Sequence, residues 1–378
     1  MKVFDLTPSF ADSPSFSDQL VYRSLIQNRH IALQFTSVSN SEQQFMEPLL
    51  ATFDAPVERR SADLKTVIPL AAFQLFRSRL IAKFPNLAAD LQQIYENHAI
   101  YWNYGTQHRD LTASPLIYGI LNLTPDSFYD GGRYVEPEKI KQRIQAMVAA
   151  GTDVIELGGQ TTRPGFKEIP ASEELNRIMP YIDYLHAAFT GLPIAVDTYK
   201  YEVMQALVKT QNVAIINDVN AFTDDSRKLA LLAPTNIGLL TMHSSRTTEY
   251  DNLTQEMQNF FERNLLQLQN AGIARERIAL DPGIGYAKVA DGYQDYAMMR
   301  NIDQFNQFNR PTMIAISRKG FGAKLFGLKK EDRLPVTLIA ETYMALHGGN
   351  ILRVHDIAET KQLIKMLQTI QNGYWVRP

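Results

Sequence analysis

The chain has 378 residues, of which 45% are hydrophobic and 21% charged, with a formal net charge of −2. That length exceeds one ordinary domain unless the domain is a barrel, and so small a charge removes bulk attraction to nucleic acid or to a membrane surface. The sequence contains no cysteine, which excludes disulfides, thiolate nucleophiles and Cys-ligated zinc or iron–sulfur centres.

The N-terminal MKVFDLTPSFADSPSF holds no continuous apolar segment of signal-peptide type, and no 18-residue apolar span follows. A cytoplasmic location without membrane contact is therefore expected. Residues 1–98 are predicted to form a small α/β extension domain. They carry one strand-like run, Ile31–Phe35, and a helical stretch, Leu75–His98, with apolar residues near helical spacing. Ser13, Ser15 and Ser37–Ser41 mark loops. This part has neither a glycine-rich phosphate loop nor a cluster of ligating side chains, which favours a packing or assembly role. Tyr101–Pro115 is a polar connector in which Gly105 suits a hairpin turn.

Residues 99–378 read as one (β/α)8 barrel. Apolar, strand-length runs recur at Ile117–Leu123, Asp153–Leu157, Pro193–Val196, Val213–Ile216, Ile237–Thr241, Arg277–Leu280, Pro311–Ile316 and Asn350–Val354. Between them lie helical patterns at Glu136–Ala150, Ser172–Phe189, Asn252–Asn270, Arg333–His347 and Ala358–Gln371. Unbroken apolar runs alternating with amphipathic helices indicate a parallel sheet covered on both faces, and eight evenly spaced units favour closure over an open sheet.

Each run ends in polar or ionisable groups. They are Asn122 with Asp126 and Asp130, the stretch Gln160–Gly165, Asp197, Asn217-Asp218, Met242-His243, Asp281–Gly285, Ser317-Arg318-Lys319, and Arg353–Asp356. One such residue is more often a helix cap than a ligand. Eight sets at one barrel face point to the site. Asp197, Asn217 and Asp281 offer acceptors and an amide suited to a flat heterocycle bearing N–H donors. Arg163, Lys319, Arg353 and His355 suit an anion such as phosphate, with Asn122 and Asp130 placed near a metal. His355 alone would read as structural, and His243 stays open between the two roles. Met242 is equally a gap-filler or a pocket wall. Strand alternation points Arg318 away from Lys319, which gives it a structural role.

The segments GILNLTPDSFYDGG, DVIELGGQTTRPG, IAVDTYK, IINDVNAF, LDPGIGYAK, ISRKGFG and ILRVHD occur in that order. With them the chain from about Trp102 onward resembles the dihydropteroate synthase family. The resemblance implies a transferase of folate biosynthesis built on a (β/α)8 barrel. It would condense 6-hydroxymethyl-7,8-dihydropterin pyrophosphate with p-aminobenzoate, using Mg2+, and would be a sulfonamide target. By motif, Asn122 would bind the magnesium–pyrophosphate unit with help from Asp130, and Asp197, Asn217 and Asp281 would hold the pterin edge. Lys319 would contact the pterin and face the aminobenzoate, and Arg353 and His355 would hold pyrophosphate. Phe128, Thr162, Arg163 and Pro164 would belong to two loops closing over the second substrate, with Met242 and Tyr286 in the substrate pocket. A homodimer through late barrel helices is also implied.

The chain departs from the family pattern at four places. Gln160-Thr161 stands where Glu-Ser is usual, Tyr286 where Phe is usual and Gly320 where Ser is common, and the segment Met242–Arg246 lacks the usual Gly and Pro. None of these changes removes a pterin or pyrophosphate group. A non-catalytic pterin-binding accessory protein and a pterin-dependent methyltransferase are the alternatives. The methyltransferase would have no use for Asn122, Arg163 and Arg353 with His355.

Overall fold

The computed structural model describes residues 1–124, 136–161, 167–244, 251–285 and 293–374. The first hundred residues hold a four-stranded antiparallel sheet, β1 (Lys2–Asp5), β2 (His30–Thr36), β3 (Val57–Arg60) and β4 (Asp63–Pro69), in the order β1-β2-β4-β3. Sequence reading expected one strand here, β2. Every residue of β3 is exposed, so it shows no apolar pattern, and β1 is only four residues long. Alternation is visible in β4, where Leu64, Thr66 and Ile68 are buried.

The expected single helix Leu75–His98 is two helices, Phe73–Lys83 and Ala88–His98. Pro85 causes the break. It has no N–H to continue the helix and forces its predecessor out of helical geometry, and Phe84 accordingly sits at φ −126°, ψ 73°. Phe73, Phe76, Leu80, Leu91 and Tyr95 from these helices pack with Ile31, Leu33, Phe35 and Ile68 of the sheet into a core of their own.

A hairpin follows, β5 (Tyr101–Tyr104) and β6 (Gln107–Asp110). It lies under the barrel and plugs it. Trp102 is fully buried and donates its indole N–H to Arg277 O at 3.0 Å, while Tyr104 packs beside it.

The barrel strands are β7 (Leu116–Asn122), β8 (Val154–Gly158), β9 (Ile194–Asp197), β10 (Ile215–Asp218), β11 (Gly238–Met242), β12 (Ile278–Asp281), β13 (Met313–Ile314) and β14 (Ile351–Val354). All pair in parallel, in the order β12-β11-β10-β9-β8-β7-β14-β13. The ring closes through a bridge between Leu280 and Thr312 and the bond from Leu280 N to Pro311 O, 2.8 Å. Only β13 is much shorter than its apolar run, because Pro311 cannot donate to the ladder and the chain turns at Arg318, φ +54°. The helices Pro137–Ala150, Ala171–Ala188, Leu253–Asn270, Leu334–Leu346 and Ile357–Gln371 form the outer layer. Each lies within a residue or so of its sequence pattern.

Arg29 links the first part to the underside of the barrel. It donates to Asn306 Oδ1 (3.1 Å), Gly348 O (3.0 Å) and Asn350 Oδ1 (3.0 Å), and Asn306 donates back to Gln27 O at 2.7 Å.

Candidate active site

Alternation along each strand decides which side chains enter the barrel. Tyr118, Val154, Ala195, Ile215, Leu240, Ala279, Met313 and Ile351 fill its lower interior with Trp102. The residues two positions further on therefore meet in the upper interior: Ile120, Glu156, Asp197, Asn217, Met242, Asp281, Ala315 and Arg353. The register sets Asn122 beside Gly158, Gly158 beside Asp197 and Asp197 beside Asn217, with Met242 beside Asp281. A Cβ on Gly158 would lie 2.9 Å from Asn122 Oδ1, so glycine is what leaves the Asn122 amide its place.

At the centre is Glu156, whose side chain is 1% exposed. It accepts from Arg353 Nε at 2.7 Å and again from Arg353 Nη2, which also donates to Asp197 Oδ2 at 2.9 Å. Asn217 Nδ2 donates to the other Glu156 oxygen at 3.2 Å. Burial, and next the Glu156 charge, push the Asp197 carboxyl up to about 7 against the pull of Arg353. Burial also raises Asp281, while Lys319 and the Gly283 N–H, 2.7 Å from Oδ1, draw it back. Lys319 reaches over Gly285 to donate to Ile284 O. Gly285 has φ +89°, and a Cβ there would sit 2.5 Å from Lys319 Cδ.

Above this layer opens a cavity of about 370 Å3 lined by Asn122, Gln160, Asp197, Ser317, Lys319, Arg353 and His355, with Arg318, Lys330 and Arg333 on one wall. Its walls carry far more positive than negative charge, which suits an anion. Burial, then Arg353 and Lys330, hold the His355 imidazole down at about 4, so it is neutral at physiological pH. The His355 backbone N–H donates to Ser317 Oγ at 3.2 Å, and Ser317 Oγ lies 3.0 Å from His355 Nδ1. Assigning the tautomer from this network, the serine hydroxyl donates to Nδ1 and Nε2 carries the N–H, a donor for an anion.

The structure thus brings Asn122, Asp197, Asn217, Met242, Asp281, Lys319, Arg353 and His355 to one end of the barrel. Asp126, Phe128, Asp130, Thr162, Arg163, Pro164 and Tyr286 lie outside the described residues. His243 is buried, with burial holding it down at about 4, and packs edge-on against Phe260. Arg318 is corrected in part. It is bound through two bonds of 2.8 Å to Asp356, a structural role, yet it also lines the cavity, because its left-handed backbone breaks strand alternation.

Sequence reasoning missed Glu156, Lys330 and Arg333. A lone Glu within the otherwise apolar VIELGG was a signal for the first. The run KKEDR reads simply as a solvated turn. Gln160 is explained by Lys200, buried beneath it, which donates to Gln160 Oε1, Ile169 O and, at 2.8 Å, Glu174 Oε2. Among the described residues no group of three His, Asp or Glu side chains could hold a metal alone, and no helix is long and apolar enough to cross a membrane.

Residues 118–355 match the family described as Pterin binding enzyme. The dihydropteroate synthase of Streptococcus pyogenes is 32% identical over 256 residues, covering 67% of this chain and 95% of its own. That of Bacillus subtilis (strain 168) is 33% identical over 257 residues, covering 68% and 89%. Among solved structures, Xanthomonas albilineans dihydropteroate synthase with 4-aminobenzoic acid is 30% identical at a TM-score of 0.67, covering 72% of this chain and 99% of that one.

Proposed function

The chain belongs to the dihydropteroate synthase family of pterin-binding enzymes, and from that premise we infer that it is a transferase of folate biosynthesis. It joins 6-hydroxymethyl-7,8-dihydropterin pyrophosphate to p-aminobenzoate, giving 7,8-dihydropteroate and pyrophosphate. One observation carries this reading: a layer of acceptors, buried Asn217 and Asp281 with half-buried Asp197 beside them, meets a cationic cavity bordered by Lys319, Arg353 and His355. The first suits the donor edge of a pterin and the second the pyrophosphate it carries.

The bond from the pterin methylene carbon to the pyrophosphate oxygen breaks with its electron pair leaving on oxygen. The dihydropterin delocalises the developing cation, and the carboxylates at its edge favour that charge. Arg353, Lys319 and the neutral N–H of His355 stabilise the departing anion. The aminobenzoate nitrogen then forms the C–N bond and loses a proton. No protein nucleophile is required.

Magnesium fits as a partner of the substrate. It prefers oxygen ligands and substrate phosphates, and Asn122 offers one amide oxygen at the cavity wall, with Asp130 assigned beside it by motif. When bound it would offset charge on the leaving group. The same reading makes residues 1–98 an extension of unknown role and residues 99–378 the pterin-binding barrel. The separate apolar core of the first part supports that division. It also makes the enzyme a cytoplasmic homodimer and a sulfonamide target, with Thr162, Arg163, Pro164, Phe128 and Tyr286 completing the aminobenzoate side. Exposed Ile339, Leu346, Met366 and Ile370 on the last two helices support the dimer.

Calorimetric binding of the pterin pyrophosphate, followed by an assay of pyrophosphate release with aminobenzoate, tests the activity. Release that requires aminobenzoate is expected. Binding without release would make the chain an accessory protein, and no binding would remove the pterin reading.

A further inference from the structure

Glu156 stands in the upper interior of the barrel with Asp197 and Asn217 and binds two residues that the sequence singled out, Arg353 and Asn217. We propose that Glu156 sets the hydrogen-bonding polarity of the pocket, fixing the Asn217 amide with its oxygen toward the ligand so that only a ring edge with an N–H donor is accepted there. This rests on the pterin reading above and deepens it.

An asparagine amide has two ends of nearly equal size, one accepting and one donating. Its shape alone does not decide which end meets a ligand. Here the neighbour decides. Glu156 Oε2 stands 3.2 Å from Asn217 Nδ2, and a carboxylate oxygen accepts only, so the NH2 end must face it. The opposite end, Asn217 Oδ1, is buried and has no hydrogen-bond partner among the described residues. A buried acceptor left this way is costly until something donates to it. The carboxylates of Asp197 and Asp281 share this face of the barrel, so the layer presents acceptors at three places. A cyclic amidine or guanidine edge supplies donors to match. A ring with a carbonyl at the same place would set acceptor against acceptor.

The second contact explains how Glu156 can stay buried. Arg353 binds it through both Nε and Nη2 and reaches Asp197 with the same Nη2. The guanidinium thus neutralises the buried carboxylate that orients the amide. Glu156 touches no substrate atom in this scheme, which makes it a positioning residue. Its effect appears as discrimination between ligands.

The experiment compares two probes on the full chain, 6-hydroxymethyl-7,8-dihydropterin pyrophosphate and its 2-oxo counterpart, in which the amino donor becomes a carbonyl acceptor. Dissociation constants are measured for wild type, Glu156→Gln, Glu156→Asp and Asn217→Ala. Wild type should prefer the amino compound strongly. Glu156→Gln, whose amide can turn either face to Asn217, should lower that preference by about tenfold or more. Glu156→Asp, which keeps an acceptor-only group, should retain most of it. Asn217→Ala should lower the preference as Glu156→Gln does, and it tests the contact without disturbing the buried charge if the Gln variant does not fold. Equal weakening of both probes in Glu156→Gln, with the ratio intact, would reduce Glu156 to a counter-ion for Arg353 and overturn the proposal. An unchanged ratio in Asn217→Ala would overturn it as well. A wild type that binds neither probe would overturn the pterin reading itself, and that outcome is distinct from either of these.

Discussion

Arginine side chains are bound at both ends of the barrel, buried at the lower and half-buried at the upper, and their partners differ. At the lower end Arg277 donates to Ile237 O, Ala233 O and Leu232 O, and Arg310 to Ile278 O, Tyr101 O and Glu276 O. Arg29 joins them from outside, on Gly348 O and two side-chain amides. These partners are neutral and fixed, so the contacts close the structure and leave nothing to exchange. At the upper end Arg353 is held by two carboxylates, in a layer whose Asn217 oxygen lacks a protein partner. The same eight strands thus make a sealed end and a responsive end. What separates them is whether buried polar groups are satisfied within the protein.

Four changes break or sharpen this contrast. Trp102→Ala attacks the sealed end, emptying the plug under the barrel. It should cost about 3–5 kcal/mol of stability, read as a lower denaturation midpoint, with both substrate KM values near wild type in the folded protein. A large change in KM would show that the two ends are coupled.

Glu341 tests the rule away from either end. It lies buried on the helix Leu334–Leu346, both its oxygens lack partners among the described residues, and burial, with Asp356 nearby, raises its carboxyl to about 8. An acid raised from its ordinary 4.5 contributes stability that is full below 4.5 and is lost as pH rises to about 8, at up to about 1.4 kcal/mol per unit. Glu341→Gln should remove that loss. Tm measured from pH 4.5 to 9 should fall more steeply in wild type than in the variant, and parallel curves would place a partner on Glu341.

Asp197→Asn acts at the responsive end. It keeps the shape but removes a charged acceptor, and it should weaken pterin pyrophosphate by about 2–3 kcal/mol. Unchanged affinity in a folded variant would reduce Asp197 to a partner of Arg353.

The smallest effect is expected at Gly320. Its φ of −68° suits any residue, and a Cβ there would meet nothing within 4 Å, so no backbone angle demands glycine. Gly320→Ser should therefore lower the KM for aminobenzoate by up to about tenfold, roughly 1.4 kcal/mol, and leave pterin affinity alone. Equal weakening of both substrates would indicate strain.

The barrel was legible because each of its strands is an apolar run with a polar end, and Asn122, Asp197, Asn217, Asp281, Lys319, Arg353 and His355 could be read off those ends. The sheet of the first part was less so. The VERR of β3 pairs with β4 at the sheet edge and shows no buried face. Glu156 escaped because its role depends on Asn217 and Arg353, which are 61 and 197 residues away. Its place inside an apolar, strand-length run was a local signal of burial, but its partners could not be read there. Lys330 and Arg333 reach the cavity from a turn whose direction only the fold defines.

Arg29 also imposes an order on assembly. Its acceptors lie 277, 319 and 321 residues further along the chain, the last of them just ahead of β14. A nascent chain cannot satisfy this side chain until its last barrel strand has been made. At synthesis rates of about 5–20 residues per second, the first sheet waits roughly 15–60 s with its arginine in water. Contacts spanning so much sequence are slow to form. The barrel is thus fastened from beneath by a segment made before it, at a moment fixed by its own last strand.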